Sequence, residues 1–204
     1  MANAATRDWQ FAVYLDDTLI GDHHFSVIED AAGIEVRSDA RFSVKLLSFE
    51  IYHYMHSARE RWREQCLASI EAQTDDNGKR TRIEGHAEVS GATGNTTKSA
   101  GVFVLTGAQG SQRIDGCLHS FAYWNRRFLD VPRLLNPQDG NVMDATLSQG
   151  IDDSISVRGV ATAARRYTLK APGKLIDLWY DSDGQWLALE STTESGRRVR
   201  YRLN

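Results

Sequence analysis

The chain has 204 residues and a formal net charge of -3, with 41% hydrophobic and 25% charged residues. Those values exclude a disordered tail and a low-complexity array. No stretch reaches the roughly 18 apolar residues of a membrane-spanning helix. The acids are interleaved with the arginines, so no single-sign field invites nucleic acid.

The hydrophobic pattern has period two nearly throughout, which is the signature of half-buried strands. Residues 1–7 are expected to be irregular, with Asp8 to Leu15 as the first strand. Leu19 to Glu29 follows, broken at Gly21, and Ile34, Val36 and Ser38 begin a third strand. Phe42 to His56 reads as one long strand whose apolar set changes sides near Leu46 and Leu47, as at a bulge. Ala58 to Gln73 fits a helical stripe and a strand alike, and its strand neighbours favour strand. Asn77-Gly78 is a hairpin turn. Arg80 to Ser90 is a strand and Gly91 to Asn95 a flexible loop.

Gly101 to Leu105, Arg113 to Asp115 and Cys117 to Trp124 read as strands. Asn125 to Gly140 is the least strand-like part, with room for a short helix at Pro132 to Leu135. Val142 to Leu147, Ser154 to Gly159 and Ala163 to Leu169 are further strands. Leu175 to Asp181 and Gln185 to Glu190 form a hairpin across Asp183-Gly184, which predicts that Trp179 and Trp186 share a face. In the last strand Val199, Tyr201 and Leu203 alternate with Arg198, Arg200 and Arg202.

About twelve strands at such spacing predict an all-β single domain. It is an antiparallel sheet curled into an open or closed barrel, with at most one or two short helices. A curled sheet has a concave face where a ligand fits. No Gly-rich phosphate loop and no G-x-S-x-G elbow is present, and no cofactor is expected.

Aromatic and histidine residues cluster on the candidate strands. Tyr52, Tyr54 and His56 fall on one strand face, followed by Glu60 and Trp62. Their apolar bodies with polar tips suit an amphiphilic guest. His119, Tyr123, Trp124 and Trp179 complete the predicted lining. His56 with Glu60 is a candidate proton-transfer pair, with Tyr52 or Tyr54 as donor. The neighbours His23 and His24 point oppositely on a strand, so they do not share a metal, and no metal site is predicted. Cys66 and Cys117 lack C-x-x-C spacing, and either a disulfide or two buried thiols fits them. Asn95-Thr96-Thr97 matches a glycosylation acceptor.

Several phrases together resemble a known family. They are Trp9-x-Phe11-x-Val13, Ile20-Gly21-x-His23-x-Phe25, Tyr52-x-Tyr54-x-His56-x-x-x-Glu60-x-Trp62, Thr74-x-x-Asn77-Gly78, and Leu178-Trp179-Tyr180-Asp181 with Trp186. The chain resembles bacterial exported β-rich proteins of unknown function, which are distantly similar to periplasmic half-barrels of the lipoprotein-carrier kind. The resemblance implies an open barrel and a periplasmic or secreted location. It would make Ala2-Asn3-Ala4 the remnant of a signal-peptidase site, whereas a frayed cytoplasmic terminus is the alternative. It carries no catalytic residue, and Glu64-Gln65-Cys66 stands where such relatives would show an Asp-Gly-like turn.

The leading expectation is a binding or carrier protein for a hydrophobic or amphiphilic small molecule. The alternatives are a cofactor-independent isomerase, cyclase or hydrolase acting on an apolar substrate, and an envelope interaction protein with a filled interior.

Overall fold

Alternation of apolar and polar residues gives strands that each bury one face, and those faces must be covered in common. The computed structural model describes residues 5–46, 49–88, 101–193 and 195–204. Its strands are β1 (Ala5–Leu15), β2 (Thr18–Asp30), β3 (Gly33–Leu46), β4 (Phe49–Arg63), β5 (Cys66–Asp76), β6 (Lys79–Glu88), β7 (Val102–Gly107) and β8 (Gly110–Asp115). After one short 3-10 turn at Arg126–Leu129 come β9 (Arg133–Leu135), β10 (Val142–Asp144), β11 (Thr146–Leu147) and β12 (Ile151–Val157). The chain ends with β13 (Val160–Ala171), β14 (Lys174–Tyr180), β15 (Trp186–Thr192) and β16 (Arg198–Leu203).

Fourteen of these strands form one antiparallel sheet, in the order β11-β13-β14-β15-β16-β1-β2-β3-β4-β5-β6-β7-β8, with β12 also on β13. The last strand, β16, pairs with β1, so the two termini of the described chain meet inside the sheet. β8 ends one side and β11 with β12 the other, and among the described residues no ladder joins them. The fold is all-β, as expected, and the barrel is open. Among the described residues no helix is long and apolar enough to cross a membrane.

Several local expectations are corrected. Residues Ala5, Thr6 and Arg7 are not irregular: they pair with Glu29, Ile28 and Val27. Phe42 to His56 is not one bulged strand but the hairpin β3–β4, and the change of sides marks its turn. Ala58 to Gln73 is strand, but it folds back at Glu64 and Gln65, whose φ values of 47° and 71° form the tight turn. Those two non-glycine residues hid the hairpin in the sequence. Cys117 to Trp124 is not a strand, and its bridge to a strand is an isolated one from Ser120 to Leu135. The helical turn falls at Arg126–Leu129 rather than at Pro132 to Leu135, because the Asn125 side chain caps it by accepting from the Arg127 amide. The expected loop at Gly91 to Asn95, the Asn95-Thr96-Thr97 triplet, the Ala2-Asn3-Ala4 segment and Leu47 lie outside the described residues.

The chain between β8 and β11 explains why this sheet stays open. It leaves one edge of the sheet and returns at the other, and its apolar residues go inward. Leu118, Phe121, Trp124, Phe128, Leu129 and Leu134 are buried in one core with Trp9, Phe11, Trp62 and Ile70 of the sheet. The segment is thus a plug against the concave face. Phe128 stacks on Trp62 with ring centres 4.7 Å apart. The plug is tied down covalently by the Cys66–Cys117 disulfide and by the Leu67 amide donating to the Leu118 carbonyl at 2.9 Å.

Candidate functional site

The plug fills one end of the half-barrel with large rings. Toward the other end the sheet register places small residues side by side. Phe25, Ser38, Ala58 and Ala72 form one cross-strand row, and His23, Ala40, His56 and Thr74 form the next. Between the rings of Phe25, His23 and His56, side chains as short as Ser38 and Ala58 leave space inside the curled sheet unfilled. A cavity of about 760 Å³ results, within the usual range for small-molecule sites. Ser38 and Ala58 line it, together with Phe25, Val36, Phe42, Tyr54 and Glu60 from β2, β3 and β4. Phe121, Ala122, Tyr123 and Trp124 of the plug form a second wall, and Ile176, Leu189, Val199 and Tyr201 of β14, β15 and β16 form a third.

The mouth is at the end of the β3–β4, β13–β14 and β15–β16 turns. Ile51 and Leu175 stand there, 55% and 50% exposed, and both belong to the cavity wall. Apolar surface therefore continues from the interior to the rim. Lys174 and Arg197 are also at this end.

The predicted lining divides in two. Tyr52, Tyr54, His56, Glu60, Tyr123 and Trp124 do line the cavity. Trp62 and His119 are buried behind it in the plugged end, with ring centres 5.7 Å apart. His119 Nδ1 donates to the Phe128 carbonyl at 3.0 Å, so this histidine braces the plug.

Trp179 lies on the convex face, in a small cluster with Ala164, Leu187 and Ala188 under Ile155 and Val157 of β12. Its indole donates to Asp153 at 3.0 Å. Trp179 and Trp186 do not share a face. The Asp181 carboxylate accepts from the amides of Asp183 and Gln185, which widens the expected two-residue turn. The ladder then shifts between Trp179 and Tyr180, and Trp186 turns inward against Phe11, with ring centres 4.3 Å apart.

Strand geometry also separates the candidate acid–base pair. His56 and Glu60 share a face, but four extended residues span roughly 13 Å. His56 Nδ1 is bonded to Thr74 Oγ1 at 2.9 Å, and the Glu60 carboxylate accepts from Trp62 Nε1 at 2.9 Å. No proton passes directly between them. Burial lowers the His56 pKa to about 4 and pushes Glu60 up, against the pull of the adjacent Ser120 hydroxyl and of the hydrogen bond from Trp62. Ser120 lies beside that carboxyl, although its Oγ completes no hydrogen bond of ordinary geometry. Burial likewise raises Tyr52, Tyr54 and Tyr123, with the nearby Asp76 adding to the rise at Tyr52 and Tyr54. At neutral pH His23, His56, Tyr52, Tyr54 and Tyr123 are therefore uncharged polar groups in an aromatic wall.

Sequence reasoning missed two polar members of that wall. His23 accepts or donates to Ser38 Oγ at 2.7 Å and to Tyr201 Oη at 3.2 Å, and it stacks on Phe25 with ring centres 4.1 Å apart. Burial pushes its pKa well down, helped by His56 and His24. The period-two pattern alone would place His23 inward with Phe25, but the contact to Tyr201 depends on β16 returning beside β1. His24 points outward, 3.5 Å from Asp8.

These features define an open β-barrel with an internal plug and a lined cavity. The chain belongs to the family described as a domain of unknown function, DUF6134, whose model matches residues 11–204. Its fold is similar to that of a solved structure, a β-barrel-like protein of the domain of unknown function DUF1849 from Brucella abortus. The TM-score is 0.66 at 9% identity, with 97% of this chain and 94% of that chain covered. No curated protein matches the sequence.

Proposed function

We propose that this protein is a binding or carrier protein for a hydrophobic or amphiphilic small molecule, working in the periplasm or another oxidising compartment. The observation that carries the reading is the 760 Å³ cavity, floored by small residues and walled by aromatic ones. Large apolar pockets with a few convergent polar groups are the usual form of small-molecule sites. The Cys66–Cys117 disulfide supports the location, because such bonds persist where the environment is oxidising. The apolar rim at Ile51 and Leu175 supports entry of an apolar guest from the open end.

Native mass spectrometry after incubation with a lipid extract tests the proposal. The wild type should retain bound species. Ala58→Phe puts a ring into the cavity and should abolish retention while the melting temperature holds or rises. Absence of any retained species in the wild type, or equal retention by Ala58→Phe, would overturn the reading.

A further inference from the structure

The polar groups of the cavity are not evenly distributed along its depth. Tyr54, His56, Ala58 and Glu60 follow one another inward along β4, which places Glu60 roughly 20 Å beyond Tyr54 at the usual strand rise. Of the charged groups that line the cavity, Asp76, Lys174 and Arg197 lie at the mouth and only Glu60 lies deep. Glu60 has no ion-pair partner among the described residues.

Around it the hydrogen bonding is incomplete. The Ser120 hydroxyl and the indole N–H of Trp124 are buried with no partner, and Trp124 shares the cavity wall with Glu60. Buried polar groups left without partners are costly, so a guest that supplies a partner is favoured over a bare alkyl chain.

A charged head fits poorly at this depth. An anion would meet a carboxyl and no cation. An ammonium brings three donors and no acceptor, so it leaves the Trp124 indole N–H unpartnered. An uncharged carbonyl or hydroxyl suits the set. It can accept from the Trp124 indole without bringing a charge into the interior.

We propose that the cavity takes an uncharged lipid head first, with a carbonyl or hydroxyl group held at Glu60 and the tail toward the mouth. This rests on the reading of the cavity as a small-molecule site.

Calorimetric titration at pH 8 with decan-1-ol, 2-decanone, decanoate and decylammonium separates the two claims. The alcohol and the ketone should bind at least tenfold more tightly than either ion. Glu60→Met should weaken alcohol and ketone binding at least fivefold. Because that change strips Trp62 of its acceptor, Glu60→Gln serves as the second variant. It keeps an acceptor and a donor, and should bind the alcohol within twofold of wild type. Decanoate binding tightest, and losing affinity in Lys174→Ala with Arg197→Ala, would put the head at the mouth and overturn the proposal. Decylammonium binding tightest, and losing affinity in Glu60→Gln, would also overturn it. If none of the four probes binds, the cavity reading itself falls.

Discussion

Cys66 and Cys117 are joined across 51 residues, and one position further on the Leu67 amide donates to the Leu118 carbonyl at 2.9 Å. Together they fasten the start of β5 to the first residues of the plug. Closing a loop of that length removes chain entropy worth up to about 4 kcal/mol from the unfolded state. Reduction, or Cys66→Ser with Cys117→Ser, should lower stability by about 2–4 kcal/mol in urea denaturation. The plug should also become more accessible to hydrogen exchange around Leu118 to Trp124. Identical denaturation curves with and without reductant would show that apolar packing alone seats the plug.

Much of the fold is legible in the sequence because alternation is a local property. Trp9, Phe11 and Val13 face inward, as their spacing requires, and so do Tyr54, His56 and Ala58. What escaped is whatever depends on contacts distant in the chain. The turn at Glu64 and Gln65 uses residues with no turn signature, and the disulfide two residues from it brings no local signal. Trp179 looked like Tyr54 in composition, yet β12 covers it on the outside. The plug alternates in sequence at His119, Phe121 and Tyr123, yet Leu118, Ser120, Ala122 and Trp124 between and beside them are buried too. The cavity itself came from small residues, Ser38 and Ala58, whereas attention to aromatic clusters finds its walls and not its space.

The buried histidines give acid sensitivity a definite sign. Burial holds His56 at a pKa of about 4, against an ordinary 6.5. Between those values the unfolded chain binds a proton that the native state refuses, so stability falls as pH drops from 6.5 toward 4. The full loss at His56 is about 3 kcal/mol, and His23, lowered well below its ordinary value, adds in the same direction. His56→Gln should flatten this limb in urea denaturation between pH 7 and pH 4.5. An unchanged slope would mean that His56 is already charged in the native state.

Glu60 acts with the opposite sign. Burial raises its carboxyl above the ordinary 4.5. As pH climbs above 4.5 the unfolded chain releases this proton first, so stability declines until the native carboxyl ionises as well. Glu60→Gln removes the titration while its amide oxygen keeps the Trp62 indole bonded. The variant should match wild type near pH 4 and exceed it at pH 8. Denaturation midpoints across that range provide the check, and a stability difference that does not vary with pH would contradict a raised native carboxyl.

Gly85 of β6 packs directly against an aromatic side chain. A Cβ there would lie 2.4 Å from Phe103 Cε1 and 2.9 Å from Cζ. The ring belongs to a fully buried side chain, 1% exposed, so it has no solvent to retreat into. Gly85→Ala should cost about 1–3 kcal/mol through overpacking rather than through backbone strain. Adding Phe103→Leu should return part of that loss, because the shorter side chain vacates the space a Cβ needs. Denaturation of the single and double variants measures the coupling, and additive effects would show that Phe103 does not press on this glycine.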